Sequence, residues 1–209
     1  MKKQKFCIAA ALLAAFVLWT VAIKLIDVQA IGPGGTSVGF AALNGFVHGL
    51  TGTHMTLYTI TDWFGLVPVA CCLGFTVLGL IQWIKRRSIL KVDRSILLLG
   101  GFYIVTFTAY LFFESHVINY RPVLIAGHPE PSYPSSTTLL VLCVMPTARM
   151  QLRRCVMRPV LYRCLSAAIT VFTVFTVAGR LVSGVHWLTD IVGGVLLSAG
   201  LVVMYDALM

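Results

Sequence analysis

The sequence predicts an all-α polytopic membrane protein, a six-transmembrane-helix bundle with one further helix at the extracytoplasmic interface. Of its 209 residues, 58% are hydrophobic and only 11% are charged, which is far too apolar for a soluble domain. A membrane-crossing helix needs about 20 apolar residues, so the length allows roughly six crossings with short connections. We therefore expect one membrane-embedded domain over residues 1–209.

Six apolar runs follow one another, separated by connections that carry charges or contain Gly and Pro. Runs of this length predict helices rather than the strands of a barrel. The fourth run is short for a crossing, and we expect Ser135 to Thr137 to lengthen it at its start. The predicted spans are Phe6 to Ile23, Leu66 to Ile84, Ser95 to Phe113, Thr138 to Ala148, Val160 to Ala178 and Ile191 to Tyr205.

The basic residues predict the orientation of these spans. The chain has 16 Lys and Arg against 7 Asp and Glu, a surplus that in a soluble protein would suggest nucleic acid. Here the basic residues cluster before the first span, between the second and third, and between the fourth and fifth, leaving only Lys24, Arg121 and Arg180 elsewhere. The positive-inside rule places those clusters and both termini in the cytoplasm. Topology thus accounts for the charge, and we expect no nucleic-acid partner.

The first run also resembles a signal peptide, because a basic start and an apolar core lead to the cleavage-like tripeptide Val28-Gln29-Ala30. The run is longer than a usual signal core, and its loss would leave five spans. We expect it to be retained as a transmembrane helix, and the orientation is the same under either interpretation.

The longest predicted outer segment runs from Asp27 to Asp62. After a Gly- and Pro-rich start it places Phe40, Leu43, Val47 and Leu50 at helical spacing. This pattern predicts a helix lying along the membrane interface, where it would cover the mouth of a site.

Chemistry is expected at the outer face, since all five histidines fall there together with Arg121 and Arg180. His186 and Asp190 are four residues apart, so on a helix beginning near His186 they share one face. The aspartate would then orient the imidazole as a nucleophile or base. Arg180 adds a planar, permanently charged group suited to phosphate oxygens.

These residues resemble the motifs of the type 2 phosphatidic acid phosphatase superfamily, the integral-membrane relatives of the vanadium haloperoxidases. The family pattern is K-x6-R-P, then P-S-G-H, then S-R-x5-H-x3-D. Arg121-Pro122 matches the first motif, and Arg180, His186 and Asp190 match the third, with Gly179 in place of the leading Ser. The second motif takes the form Pro134-Ser135-Ser136-Thr137.

The resemblance implies that His186 attacks phosphorus to form a phosphohistidine and that Asp190 orients it. It implies that the phosphate is held by Arg121, Arg180 and the backbone of Ser135 and Ser136. The expected activity is hydrolysis of a lipid phosphate or diphosphate, with no metal and no cofactor. The expected partners are that lipid substrate and the membrane bilayer.

Two motif positions diverge from the family. Glu114 stands where the first motif has its lysine, and Thr137 stands where the second motif has the histidine that protonates the leaving group. A glutamate repels phosphate when it is ionised, and a threonine cannot deliver a proton at neutral pH. General acid catalysis contributes about 100- to 10,000-fold, so the ordinary family mechanism should be impaired.

Three explanations stay open. A replacement acid could come from His128, His116 or a protonated Glu114. The substrate could instead be a polyprenyl diphosphate, whose leaving phosphate needs no acid. Finally, hydrolysis could be lost, leaving a lipid-phosphate-binding or transport-like protein. A phosphotransferase would use the same site, whereas a secondary transporter is disfavoured because paired Gly/Pro-interrupted helices are missing from the sequence.

Overall fold

A computed structural model of the protein describes residues 2–209 and is all-helical over that range, with isolated β-bridges but no strands. Two single 3₁₀ turns, Pro33–Gly35 and Ile89–Lys91, interrupt the connections. The α-helices are α1 Lys2–Leu25, α2 Ala41–Thr51, α3 Met55–Phe64, α4 Leu66–Arg86, α5 Arg94–Ser115, α6 Ser136–Cys155, α7 Pro159–Val182 and α8 Leu188–Leu208.

Each of the six predicted runs is a helix, but only five segments of residues 2–209 are long and apolar enough to cross a membrane. They are α1, the continuous stretch Met55–Arg86, α5, α7 and α8. The run predicted as the fourth span is α6, which does not qualify. It packs against α4, α5, α7 and α8. Its hydropathy is lowered mainly by Arg149, Gln151 and Arg153 toward its end. Its helical neighbours surround polar residues such as Thr138 and Thr147, which are buried.

The outer segment contains two helices rather than one. The predicted helix corresponds to α2, whose Leu43, Phe46 and Leu50 are exposed. Its position at a membrane interface stays a prediction. The second helix, α3, was not predicted, and it continues into α4 with only a bend at Gly65. It therefore extends the second predicted span by about three turns toward the site.

The first helix forms a large contact with the last one. Lys5 Nζ lies 2.6 Å from Asp206 Oδ2, and Trp19 Nε1 donates to the Thr189 carbonyl at 3.2 Å. Thr20 Oγ1 hydrogen-bonds to the Tyr133 hydroxyl at 2.7 Å. The chain termini thus share one end of the bundle, and the opposite end holds the start of α8, where the predicted site residues gather.

A close contact between α3 and α7 explains one departure from the family motif. A Cβ added at Gly179 would lie 2.6 Å from the Thr61 Cγ2 atom, far inside van der Waals contact. Thr61 is fully buried. Glycine therefore stands in place of the motif serine at a point where α3 packs closely against α7. This packing brings other residues of α3 close to Arg180.

Candidate active site

A tight turn between α7 and α8 positions His186. Gly184 has a φ of 67°, and a Cβ there would lie 1.7 Å from the Gly52 carbonyl oxygen. Only glycine fits a left-handed position packed this closely against another chain segment. The His54 N–H donates to the Ser183 carbonyl at 2.9 Å, which ties the turn to the start of α3.

Asp190 connects the catalytic motif to the start of α8. Its Oδ2 accepts the Trp187 N–H at 2.8 Å and lies 3.7 Å from His186 Nδ1. The expectation of a helix beginning near His186 needs a small correction, because α8 begins at Leu188. The two side chains meet because the aspartate folds back over the helix start, where a carboxylate also interacts favourably with the helix dipole.

Arg180 makes a direct contact with the imidazole. Its Nη2 lies 3.0 Å from His186 Nε2, and the arginine side chain is fully buried. A guanidinium only donates hydrogen bonds, so Nε2 is the acceptor and the proton of the neutral imidazole is on Nδ1, facing Asp190. Burial, followed by the charges of Arg180 and Arg121, holds the pKa of His186 well below its ordinary value.

The second arginine reaches the same region from the connection before α6. Arg121 is 8% exposed, and its Nε lies 3.2 Å from Glu130 Oε2. The Tyr58 ring lies beneath both guanidinium groups, with its centroid 5.5 Å from the Arg121 Cζ and 4.8 Å from the Arg180 Cζ. One aromatic ring thus makes a cation–π contact with both arginines.

Buried polar atoms converge on this pocket without protein partners. Within residues 2–209, Arg121 Nη1, Ser135 Oγ and Arg180 Nε are buried and make no hydrogen bond to another protein atom. Buried donors are ordinarily paired, so this group is suited to an anion. In the same part of the chain, no three His, Cys, Asp or Glu side chains are grouped as metal ligands.

The second motif joins the third through the backbone. The Ser135 N–H donates to the Asp190 carbonyl at 3.2 Å, and Ser135 is fully buried. Ser136 is the first residue of α6. The first amides of a helix lack intrahelical partners and bind phosphate well. The Ser135 N–H is already donated to Asp190, so phosphate binding by the backbone of Ser135 and Ser136 stays a prediction.

The two divergent residues make no hydrogen bond or ion pair with Arg121, Arg180 or His186 among the interactions of residues 2–209. Glu114 is exposed and lines a small crevice together with Ser132 and Ser136. A carboxylate there is near the positive end of α6, which offsets part of its cost. Thr137 is buried, and its Cγ2 would be 3.8 Å from a Cβ built on Gly65, where α3 joins α4.

The proposed replacement acids do not join the cluster. His116 is exposed, hydrogen-bonds to Ser115 and to the Phe112 carbonyl, and stacks on the Phe112 ring. His128 is exposed in the turn whose backbone pairs with Ile125. Neither histidine contacts His186 or the two arginines among the interactions of residues 2–209.

Tyr58 and Asp62 also contact the arginines of the site, although the sequence did not predict them as site residues. Asp62 Oδ1 lies 3.4 Å from Arg180 Nη1, and its side chain is 57% exposed. Both residues belong to α3, in a segment that was expected to be an outer connection. The sequence carries one sign of this helix. Residues Met55 to Phe64 are apolar enough to extend the run that begins at Leu66 in the N-terminal direction.

Residues 98–207 match the family model described as the PAP2 superfamily, which is more than half of the chain and includes all three motif regions. The chain belongs to the PAP2 superfamily. The four predicted residues Arg121, Arg180, His186 and Asp190 lie inside the matched range, whereas Tyr58 and Asp62 lie outside it.

A solved structure agrees with this PAP2 assignment. The chain is similar to a crystal structure described as the first transmembrane PAP2 type phosphatidylglycerolphosphate phosphatase from Bacillus subtilis. The two share 17% sequence identity with a TM-score of 0.59, and the match covers 95% of this chain and 93% of that one. The likeness establishes the fold of a multi-pass PAP2 membrane protein. A comparison with curated proteins finds no match.

Proposed function

We propose that this PAP2 protein is a lipid phosphatase that hydrolyses a polyprenyl diphosphate through a phosphohistidine at His186. The observation that carries the proposal is the arrangement of the imidazole. Nε2 accepts from Arg180 at 3.0 Å while Nδ1 lies 3.7 Å from Asp190. The unprotonated nitrogen therefore points toward the arginines, where a phosphate would be bound.

In the first step, the Nε2 lone pair attacks the terminal phosphorus. The bond from that phosphorus to the bridging oxygen breaks, and its electron pair leaves on the oxygen of the lipid monophosphate. The Arg180 N–H that the imidazole accepts in the free protein becomes available to a phosphate oxygen. Arg121, Arg180 and the first amides of α6 stabilise the charge of the three equatorial oxygens.

The preference for a diphosphate follows because the site has no general acid to protonate an alkoxide leaving group. Thr137 cannot donate a proton, Glu114 is exposed rather than buried, and His116 and His128 lie outside the cluster. An alkoxide leaving group has a conjugate acid with a pKa of about 16, whereas a departing phosphate has a relevant pKa of about 6. A diphosphate therefore reacts without general acid catalysis, while a simple monoester such as phosphatidate does not.

An apolar groove supports a lipid substrate. It lies between α4, α6 and α7 and is lined by side chains that include Cys71, Phe75, Met145 and Phe172. The ring of Phe64, at the end of α3, packs 5.3 Å from that of Phe172 at the groove. A hydrocarbon chain bound there would extend from a headgroup held at Arg180 into the bilayer.

We infer that the site faces the extracytoplasmic side and that α6 completes a six-helix domain. Thirteen basic residues lie at the start of α1, around the connection between α4 and α5, and around the connection between α6 and α7, at the end of the bundle opposite His186. The positive-inside rule makes that end cytoplasmic. A polar helix such as α6 is tolerated at membrane depth because its neighbours surround it.

A phosphate-release assay on purified protein tests the function. Wild type and His186→Ala are compared on a polyprenyl diphosphate and on phosphatidate in the same detergent. We expect release from the diphosphate to be at least about 100-fold faster than from phosphatidate, since only the latter needs the missing acid, and to be abolished in the variant. Equal rates on the two lipids would contradict the substrate preference, and activity surviving His186→Ala would contradict the nucleophile.

A further inference from the structure

We propose that Asp62 is the general base that activates water when the phosphohistidine is hydrolysed. The inference rests on the proposed function, because it assigns the second half of the same reaction. The proton donor missing at Thr137 is not needed when a diphosphate lipid reacts. Water, however, must still be activated to release phosphate from His186, and the residues assigned so far provide no base for that step.

The contacts of Arg180 place Asp62 next to the reaction. Its Nη1 lies 3.4 Å from Asp62 Oδ1, and its Nη2 lies 3.0 Å from His186 Nε2. A single guanidinium therefore separates the carboxylate from the nucleophilic nitrogen. No other carboxylate of residues 2–209 shares a guanidinium with His186, since Glu130 pairs with Arg121 instead.

This separation suits an in-line displacement. The phosphorus is bonded to the leaving nitrogen and the attacking water oxygen stands about 3 Å beyond it, so a base bonded to that water lies roughly 7 to 8 Å from the nitrogen. One guanidinium with contacts of 3.4 Å and 3.0 Å at its two Nη atoms allows a separation of up to that order. In the proposed step, Asp62 meets water on the face of phosphorus opposite His186.

Burial separates the roles of the two aspartates. The Asp62 side chain is 57% exposed, whereas Asp190 is fully buried and already accepts the Trp187 N–H. Asp62 is thus accessible from outside the protein, whereas Arg180, His186 and Asp190 are enclosed. The end of α3 also lies near Thr137, whose Cγ2 would be 3.8 Å from a Cβ built on Gly65.

The proposed step is balanced. The Asp62 carboxylate takes a proton from water as the water oxygen bonds to phosphorus. The bond from phosphorus to Nε2 breaks, and its electron pair returns to the imidazole, which keeps its Nδ1 proton beside Asp190. Phosphate departs, and Asp62 passes its proton to solvent. As a carboxylate it accepts a proton rather than donating one, which suits this half-reaction and not protonation of an alkoxide.

Rapid-quench kinetics with a polyprenyl diphosphate carrying ³²P in its terminal phosphate test the inference. The quench is alkaline because phosphohistidine is acid-labile. In Asp62→Asn we expect labelling of the protein within about threefold of the wild-type rate and turnover at least about 100-fold slower, so that labelled protein accumulates. Glu130→Gln is the matched control, since it removes the carboxylate beside the other arginine, and it should accumulate no more label than wild type.

Chemical rescue separates a base from a structural contact. Asp62→Ala should also accumulate labelled protein, and added formate should speed the loss of that label in proportion to its concentration. Asp62→Glu should recover part of the turnover. If labelling slows as much as turnover in Asp62→Asn, or formate has no effect on Asp62→Ala, the inference is wrong while the phosphatase function stands. If wild type neither becomes labelled nor releases phosphate, the proposed function itself fails.

Discussion

Arg180 Nη2 donates to His186 Nε2 across 3.0 Å, so the nitrogen with the free lone pair faces the cationic pocket. The contact has two consequences. It selects the imidazole tautomer whose Nδ1 proton faces Asp190, and it places a positive charge beside the ring. Both effects favour a neutral imidazole in the free protein, which is the form required for nucleophilic attack.

The pH profile of the reaction should reflect this environment. Burial and the charges of Arg180 and Arg121 lower the pKa of His186 well below its ordinary value. As pH falls through about 6.5, an ordinary histidine gains a proton and loses its nucleophilicity. Here kcat/KM, which reports the ionisations of the free enzyme, should show no decrease from protonation of His186 in that range. The decrease should occur only at lower pH.

Arg121→Gln provides the comparison for the pH profile, since it removes one of the two charges. The pKa of His186 should rise, and the acid limb should move to higher pH, while the titration of the substrate is common to both proteins. An unchanged limb would contradict the electrostatic coupling.

The lowered pKa of His186 also affects the stability of the fold. Below about pH 6.5 the unfolded chain binds a proton that folded His186 does not bind, so the free energy of unfolding should decrease as the pH falls below that value.

Tyr58 should affect activity through its ring rather than its hydroxyl. The ring centroid lies 4.8 Å and 5.5 Å from the Cζ atoms of Arg180 and Arg121, and such contacts contribute about 0.5 to 2 kcal/mol. Tyr58→Leu should therefore lower kcat/KM by roughly 2- to 30-fold. Tyr58→Phe should stay near wild type because it keeps the ring. A large loss in Tyr58→Phe would show instead that the hydroxyl is required.

The contact between α3 and α7 predicts a compensating pair of substitutions. Gly179→Ser restores the residue of the family motif but directs its Cβ to 2.6 Å from Thr61 Cγ2. Overpacking of this kind costs about 1 to 3 kcal/mol, which thermal unfolding in detergent would measure. Thr61→Ser removes that methyl group, so the double variant should recover most of the loss. Additive effects of the two substitutions would contradict the assignment of the clash.

Thr137→His should restore the missing acid. The Thr137 side chain lies near the end of α3. General acid catalysis contributes about 100- to 10,000-fold, so hydrolysis of phosphatidate should increase by at least about tenfold even if the geometry is imperfect. Hydrolysis of the diphosphate should change little. Thr137→Asn, which is polar but does not titrate, is the control. Equal gains with His and Asn would indicate an effect on packing rather than acid catalysis.

Much of the pocket could be predicted because its residues lie close together in sequence. Arg180, His186 and Asp190 fall within one turn and its flanking helix ends, and motif order linked them to Arg121 and Ser135. The interpretation of the outer face as the site of chemistry followed from charge alone. Local spacing and membrane topology paired His186 with Asp190 at the predicted outer face, whereas the phosphate-binding roles of Arg121 and Ser135 came from the resemblance to the family motifs.

The rest depended on tertiary packing that spacing does not encode. Tyr58 and Asp62 join the pocket only because Gly179 lets α3 approach α7. The sequence did predict α6 as a helix, but it did not show that the buried Thr138, Thr147 and Gln151 of α6 are surrounded by four other helices. The histidines proposed as acids were selected for their chemistry, and their positions in the fold could not be known.

Mapping the phosphorylated residue tests the central claim most directly. Protein quenched in alkali during turnover of a polyprenyl diphosphate is digested and examined by mass spectrometry. The account predicts phosphate on the imidazole of His186, at a stoichiometry that increases in Asp62→Asn and falls to zero in His186→Ala. Phosphate on another residue, or steady release of phosphate with no labelled protein in wild type or Asp62→Asn, would contradict it.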